Sequence, residues 1–177
     1  MGQQSGQAHE LTGSLNRGIF LYFRNMDIDH YDNIERSADY KLYSFISSGP
    51  KGDLEKVIKF TDFPEVADTS NLALGTRRGE MVDYEETTNN NDRDKIIATI
   101  FYITLIFSAA YPDQKIFISG RNKATTRLYR GAINHGYDGI IRKYFIYGGT
   151  YTAMMDKYNF EPFIPSKQYD AFLFERR

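Results

Sequence analysis

Between Gln114 and Tyr137 the chain carries five Lys or Arg and no Asp or Glu, so a run of positive charge stands there with no local acid. The run reads KIFISG and then RNKATTRLYRGAIN, Lys115 to Asn134. KIFIS has the look of a short buried strand, Ser119-Gly120 of a tight corner, and the remainder of a helix beginning near Asn122. A strand that turns through glycine into a helix presents backbone N–H groups with no intrahelical acceptor and the positive end of a helix dipole. That combination suits an anion, phosphate above all. The expected contacts are the N–H groups of residues 120 to 123, the hydroxyls of Ser119 and Thr125, and the guanidinium forks of Arg121 and Arg127, with Lys123 and Arg130 in support. The glycine spacing and the Gly-Lys-Ser/Thr ending of a P-loop are absent, so this is an anion corner rather than a nucleotide signature.

On a helical wheel Lys123, Arg127, Arg130 and Asn134 fall within a sector of about 60°. Ala124, Leu128, Tyr129, Ala132 and Ile133 cover the opposite side, so one face packs and the other is cationic. Acids concentrate just upstream: Glu80, Asp83, Glu85, Glu86, Asp92 and Asp94 stand against Arg93 alone between Gly79 and Asp94. Asp83, Asp92 and Asp94 are therefore candidate partners of the arginine helix. Three functions compete. The favoured one is a binding protein for a phosphate-bearing ligand, a nucleotide or a nucleic-acid backbone. The alternative is a non-catalytic protein-interaction module in which Arg127 is buried against Asp92, Asp83 or a neighbouring chain. The third is a metal-dependent phosphoryl-transfer enzyme using Asp83, Asp92 or Glu85, which needs carboxylates converging on the basic corner. Asp53-Leu54-Glu55-Lys56 resembles a nuclease carboxylate-lysine string, but strand alternation produces such strings by chance.

The totals narrow these classes. A chain of 177 residues suits one domain, and 41% hydrophobic content with 14 Tyr and 13 Phe supplies a sizeable core. A net charge of −1 means that a polyanion would have to be met by a local patch. The absence of cysteine removes disulfides, zinc-thiolate sites and thiol nucleophiles together. His9, His30 and His135 lie far apart with no ligand spacing, and no metal or cofactor is expected. The apolar run from Ile96 to Ala110 is interrupted by Thr99, Tyr102, Thr104 and Ser108 and is shorter than the about 20 residues a bilayer requires. No membrane association and a cytoplasmic location are the expectation; an oligomer is compatible with the sequence.

Residues 1–38, rich in Gly, Gln, Ser, Asn and Asp with one apolar island at Ile19–Phe23, read as a flexible leader, and 39–177 as a single domain. From Tyr40 strands follow: 40–47, a Gly49-Pro50-Lys51-Gly52 turn, 54–60, 71–76, a polar turn and 81–87. In the strand 54–60, Leu54, Ile58 and Phe60 share one face, and Lys56 and Val57 interrupt the alternation. Asp92 or Asn91 caps a helix over 93–110, which is apolar almost all round and stopped by Tyr111-Pro112. After the strand 115–119 comes the helix 122–134, ended by Gly136. A strand at 144–147, a mixed loop over 150–166 and a closing strand at 169–174 complete the chain. The expected class is α+β, a mainly antiparallel sheet of six or seven strands on two principal helices.

Several blocks in this order resemble a bacterial family of small proteins known only as a domain of unknown function. They are Ser48-Gly49-Pro50-Lys51-Gly52 with Val57 and Phe60-Thr61; Asn71-Leu72-Ala73; Asn90-Asn91-Asp92 with Lys95-Ile96-Ile97-Ala98-Thr99; Gly120 with Ala124 and Thr126-Arg127-Leu128-Tyr129; and Tyr169 with Ala171-Phe172-Leu173. The resemblance runs from about residue 40 to the end and implies no activity, substrate or cofactor. Against the family pattern this chain has Thr125 where arginine is usual, Arg121-Asn122 where small hydroxyl residues are usual, and Thr76 where an acid is usual. A site needing two arginines on the helix would have to draw the second from Arg121 or Arg130.

Overall fold

The computed structural model describes residues 29–177, and the island at Ile19–Phe23 with most of the expected leader lies outside them. The elements are β1 (Glu35–Arg36), β2 (Leu42–Gly49), β3 (Gly52–Asp62), β4 (Thr69–Arg78), β5 (Met81–Asp83), α1 (Arg93–Ala110), β6 (Lys115–Ser119), α2 (Lys123–Ile140), β7 (Tyr144–Thr152), β8 (Lys157–Pro162) and β9 (Ala171–Arg176). All the strands join one sheet in the order β1-β2-β3-β4-β6-β9-β7-β8, with β5 paired to the far end of β4. The class is the expected α+β, but the strands number nine rather than six or seven. The two not expected are β1, whose two residues are too few for a pattern, and β8, which lies in the stretch read as loop.

One parallel pairing organises the site. β4 and β6 run parallel and are joined through α1. β6 is antiparallel to β9 and β9 to β7, so β7 runs parallel to β6 and is reached through α2. Both crossovers advance in the same direction across the sheet, so right-handed connections put both helices on one face. Their N-termini then lie at the same end, beyond the C-terminal ends of β4 and β6.

Side-chain alternation confirms the layering. Ile116 and Ile118 of β6 and Phe172 and Phe174 of β9 enter a core with Ile100, Ile103 and Phe107 of α1 and Ile133 of α2. The intervening Phe117, Ala171 and Leu173 form a smaller cluster on the other face with Phe63, Val66 and Phe160. The polar residues of α1 are accommodated locally: the hydroxyls of Thr99 and Thr104 donate to carbonyls one turn back, and Ser108 Oγ accepts from Tyr144 Oη at 2.8 Å. The helix expected to end near Asn134 continues to Ile140, because Gly136 keeps helical geometry and the chain leaves only at Ile141.

Candidate functional site

Lys56 sits in phase with Ile58 and Phe60 on the helix-covered face of β3, so the pleat itself carries a charged side chain into the core layer. It is 3% exposed. Thr76 is its cross-strand partner in β4, and the Nζ donates to Thr76 Oγ1 at 2.8 Å and to Thr88 Oγ1 at 2.7 Å. An ammonium has three donors. Among the described residues Lys56 forms no ion pair. Burial holds its pKa below the ordinary lysine value; Glu86 and Asp92 oppose that shift from a distance, and Arg78 and Arg121 add to it. A buried cation without a carboxylate is costly for a fold to keep.

What keeps Lys56 in place is a latch between two loops. Asn90, 2% exposed, donates from its carboxamide to Ser47 O, Ser47 Oγ and Gly52 O, and its Oδ1 accepts from the Lys51 N–H at 2.9 Å. Lys51 Nζ in turn donates to Thr88 O at 2.6 Å. Gly49 is needed for this approach, since a Cβ there would lie 1.9 Å from Asn90 O. The turn between β2 and β3 therefore grips the loop before α1 and presents the Thr88 hydroxyl to Lys56.

Lys56 lines a cleft of about 1010 Å³ that opens where β4 parts from β6, between the N-termini of α1 and α2. Ser119, Arg121, Thr125 and Tyr129 form its α2 side. Burial pushes the Tyr129 hydroxyl up to about 12, against a pull downward from Arg121. On the α1 side the N-cap residue Asp92 makes no side-chain capping bond.

The corner itself is tighter than an open anion nest. Gly120 packs directly under α2, where a Cβ would stand 2.2 Å from Thr126 N. Asn122 caps the helix by accepting from the Thr125 N–H at 2.9 Å and from the Thr125 hydroxyl. Of the residues singled out for phosphate, Ser119, Arg121 and Thr125 reach the cleft. Arg127 is exposed and instead lines a second hollow, a groove of about 480 Å³ between α1 and α2. Lys123 and Arg130 line neither.

The expected acidic partners are occupied elsewhere. Asp83 Oδ1 accepts from the N–H groups of Glu85 and Glu86 at 2.8 and 3.1 Å. Asp92 Oδ2 accepts from Tyr31 Oη at 2.7 Å and Ser47 Oγ at 2.6 Å, which ties residues 29–38 to the domain beside the cleft. Asp94 pairs with Arg93 at 2.9 Å. The burial of Arg127 against Asp92 or Asp83 that the interaction-module reading required is therefore corrected: Arg127 has no ion pair among the described residues. Nor do three His, Asp or Glu converge among the described residues as a metal centre would need.

Sequence reasoning passed over Lys56, Thr76, Thr88 and Asn90 as a site. The signal was present for one of them: Lys56 shares the parity of Leu54, Ile58 and Phe60, and a cation in phase with an apolar face must be explained.

Residues 27–177 match the family of unknown function DUF6934, and the chain belongs to that family. No curated protein and no solved structure matches it. The blocks that carried the resemblance meet around one hollow: Ser48, Asn71-Leu72-Ala73, Asn90-Asn91-Asp92, Lys95-Ile96-Ile97 and Leu128-Tyr129 all line the cleft. Ala171-Phe172-Leu173 lies in the cores of the sheet instead.

Proposed function

We propose that the cleft between β4, β6 and the two helix N-termini binds a phosphate-bearing ligand, a class that includes nucleotides and nucleic-acid backbones. The observation that carries this reading is Lys56, a buried cation held by two hydroxyls at the wall of an open cleft with no carboxylate of its own. A ligand anion is the counter-charge that the fold leaves out. Arg121, the second cleft cation without an ion pair among the described residues, stands ready to share it. The remaining cleft cations are engaged: Lys95 with Asp29 and Arg93 with Asp94. Among the acids, Glu86 is held by Arg78, and the Asp92 oxygen is turned to Tyr31 and Ser47. Glu85 remains on the rim, favouring a ligand whose charge sits deep beside Lys56.

Titration calorimetry with pyrophosphate, ATP and a single-stranded oligonucleotide tests the reading. At least one of them binds, more weakly at higher salt, and Lys56→Met lowers that affinity by about tenfold to hundredfold, the loss expected for a hydrogen bond to a charged group. No binding of any probe, or equal binding by a folded Lys56→Met variant, overturns it.

A further inference from the structure

The cleft does not end at its own walls. Arg93, Asp94, Ile97 and Leu128 line both it and the groove between α1 and α2, so the two hollows adjoin at Ile97 and Leu128. Beyond that seam the character changes. The groove runs on between Phe101 and Leu105 of α1 and Ala132 and Ile140 of α2, with charged side chains at its edges. Leu128 is 37% exposed. At Gly131, in the middle of α2, a Cβ would find nothing within 4 Å. Glycine in a helix interior is unfavourable relative to alanine, and among the described residues the space beside Gly131 is open.

Resting on the phosphate reading of the cleft, we infer that the ligand is an amphiphile: a phosphate monoester of a long-chain alcohol, with its phosphate at Lys56 and Arg121 and its hydrocarbon chain along the groove past Gly131. The groove's volume of about 480 Å³ lies within the range of small-molecule pockets, about 300–1,000 Å³. Its apolar lining suits methylenes and offers little to the polar edge of a nucleobase or a sugar, whose donors and acceptors would be buried without partners. Charge agrees with this order. Of the cleft's cations, Lys56 and Arg121 have no ion pair among the described residues, and Arg127 lines the groove.

The test is a chain-length series on the full chain: butyl, octyl and dodecyl phosphate, each below its micelle concentration, with dodecanol as the uncharged control. Affinity rises by about fourfold for each added methylene until the groove is full, the equivalent of about 0.8 kcal/mol per buried methylene. Gly131→Leu, which fills the space, abolishes the gain from butyl to dodecyl and leaves butyl phosphate binding unchanged. Lys56→Met weakens every phosphate by the same factor and leaves the chain-length slope intact. A flat series with butyl phosphate still bound overturns the amphiphile inference alone. If neither butyl nor dodecyl phosphate binds while pyrophosphate or ATP does, this inference falls alone; if none of these binds, the phosphate reading falls and this inference with it. A slope that persists in folded Gly131→Leu, or that dodecanol reproduces with equal affinity, also overturns it.

Discussion

The cleft at the N-terminal ends of the helices and the groove between them share four lining residues and little else. One wall of the cleft is held by hydrogen bonds made inside the protein: Asn90 to the β2–β3 turn, Lys56 to Thr76 and Thr88, and Tyr31 and Ser47 to Asp92. The groove is lined chiefly by side chains of α1 and α2, with Ala98, Gly131, Ala132 and Gly136 among them. A network of that kind fixes geometry, since each partner is costly to remove. An apolar hollow with few directional contacts tolerates change and selects by volume. The difference teaches where precision and where capacity should be sought: position in the cleft, chain length in the groove.

The strongest blow to that contrast falls on the latch. Asn90→Ala leaves Ser47 O without its side-chain partner in a buried position and frees Gly52 O and the Lys51 N–H in exposed residues. The expected cost is about 2 kcal/mol in urea unfolding, most of it from the buried side of the latch, since an unsatisfied buried group forfeits its desolvation. An equal cost from a substitution on the groove side, such as Leu128→Ala, would show that the cleft is not the stiffer region.

Lys56→Met separates stability from binding. Its loss of phosphate affinity, about tenfold to hundredfold, comes with a gain in stability at neutral pH, because the buried charge is gone. The sign follows from linkage. Burial lowers the folded pKa below the ordinary value of 10.5, so the unfolded chain binds this proton more readily and wild-type stability rises as pH climbs towards that value. The margin between Met and Lys therefore shrinks in alkaline buffer. A margin that is constant with pH would mean that Lys56 is not desolvated.

The arginines sharpen the boundary. Arg121→Ala weakens short phosphates by about fivefold, as loss of one partly solvated charge contact should. Arg127→Ala leaves them unchanged and alters stability by no more than about 0.5 kcal/mol, as for an exposed side chain without an ion pair among the described residues. An inverted result would return the anion site to the cationic face of α2.

That face shows what could be read in advance and what could not. The strand at Lys115–Ser119 and the extent of α1 at Arg93–Ala110 follow from local rules of alternation and helix stops, whereas the cap expected on α1 is not made by Asp92 and Asn122, read only as the start of α2, supplies that helix with its cap. The wheel placed Arg127 and Leu128 on opposite sides of α2, yet neighbouring residues stand only about 100° apart and both line the groove. It could not say that α1 would stand far enough away to leave Leu128 uncovered. Lys56 escaped notice for a similar reason. Its meaning depends on Thr76 twenty residues later and Thr88 thirty-two residues later, a convergence set by strand register and by the Asn90 latch rather than by spacing in the chain.

The smallest expected effect is the most discriminating about the groove. Gly131→Ala adds one methyl to an exposed helix position where nothing stands within 4 Å. Helix propensity alone predicts a gain of about 0.5–1 kcal/mol, a rise in Tm of about 2 °C for a domain of this size. The methyl enters only the first layer of the groove, so long-chain phosphates should still bind, with a slightly shorter optimal chain. A loss of stability would mean that the position is already occupied, and the groove would then be packed rather than vacant. A gain in stability with an unchanged chain-length optimum would show that Gly131 faces away from the bound chain, and the path of the chain would have to be drawn past Leu105 instead.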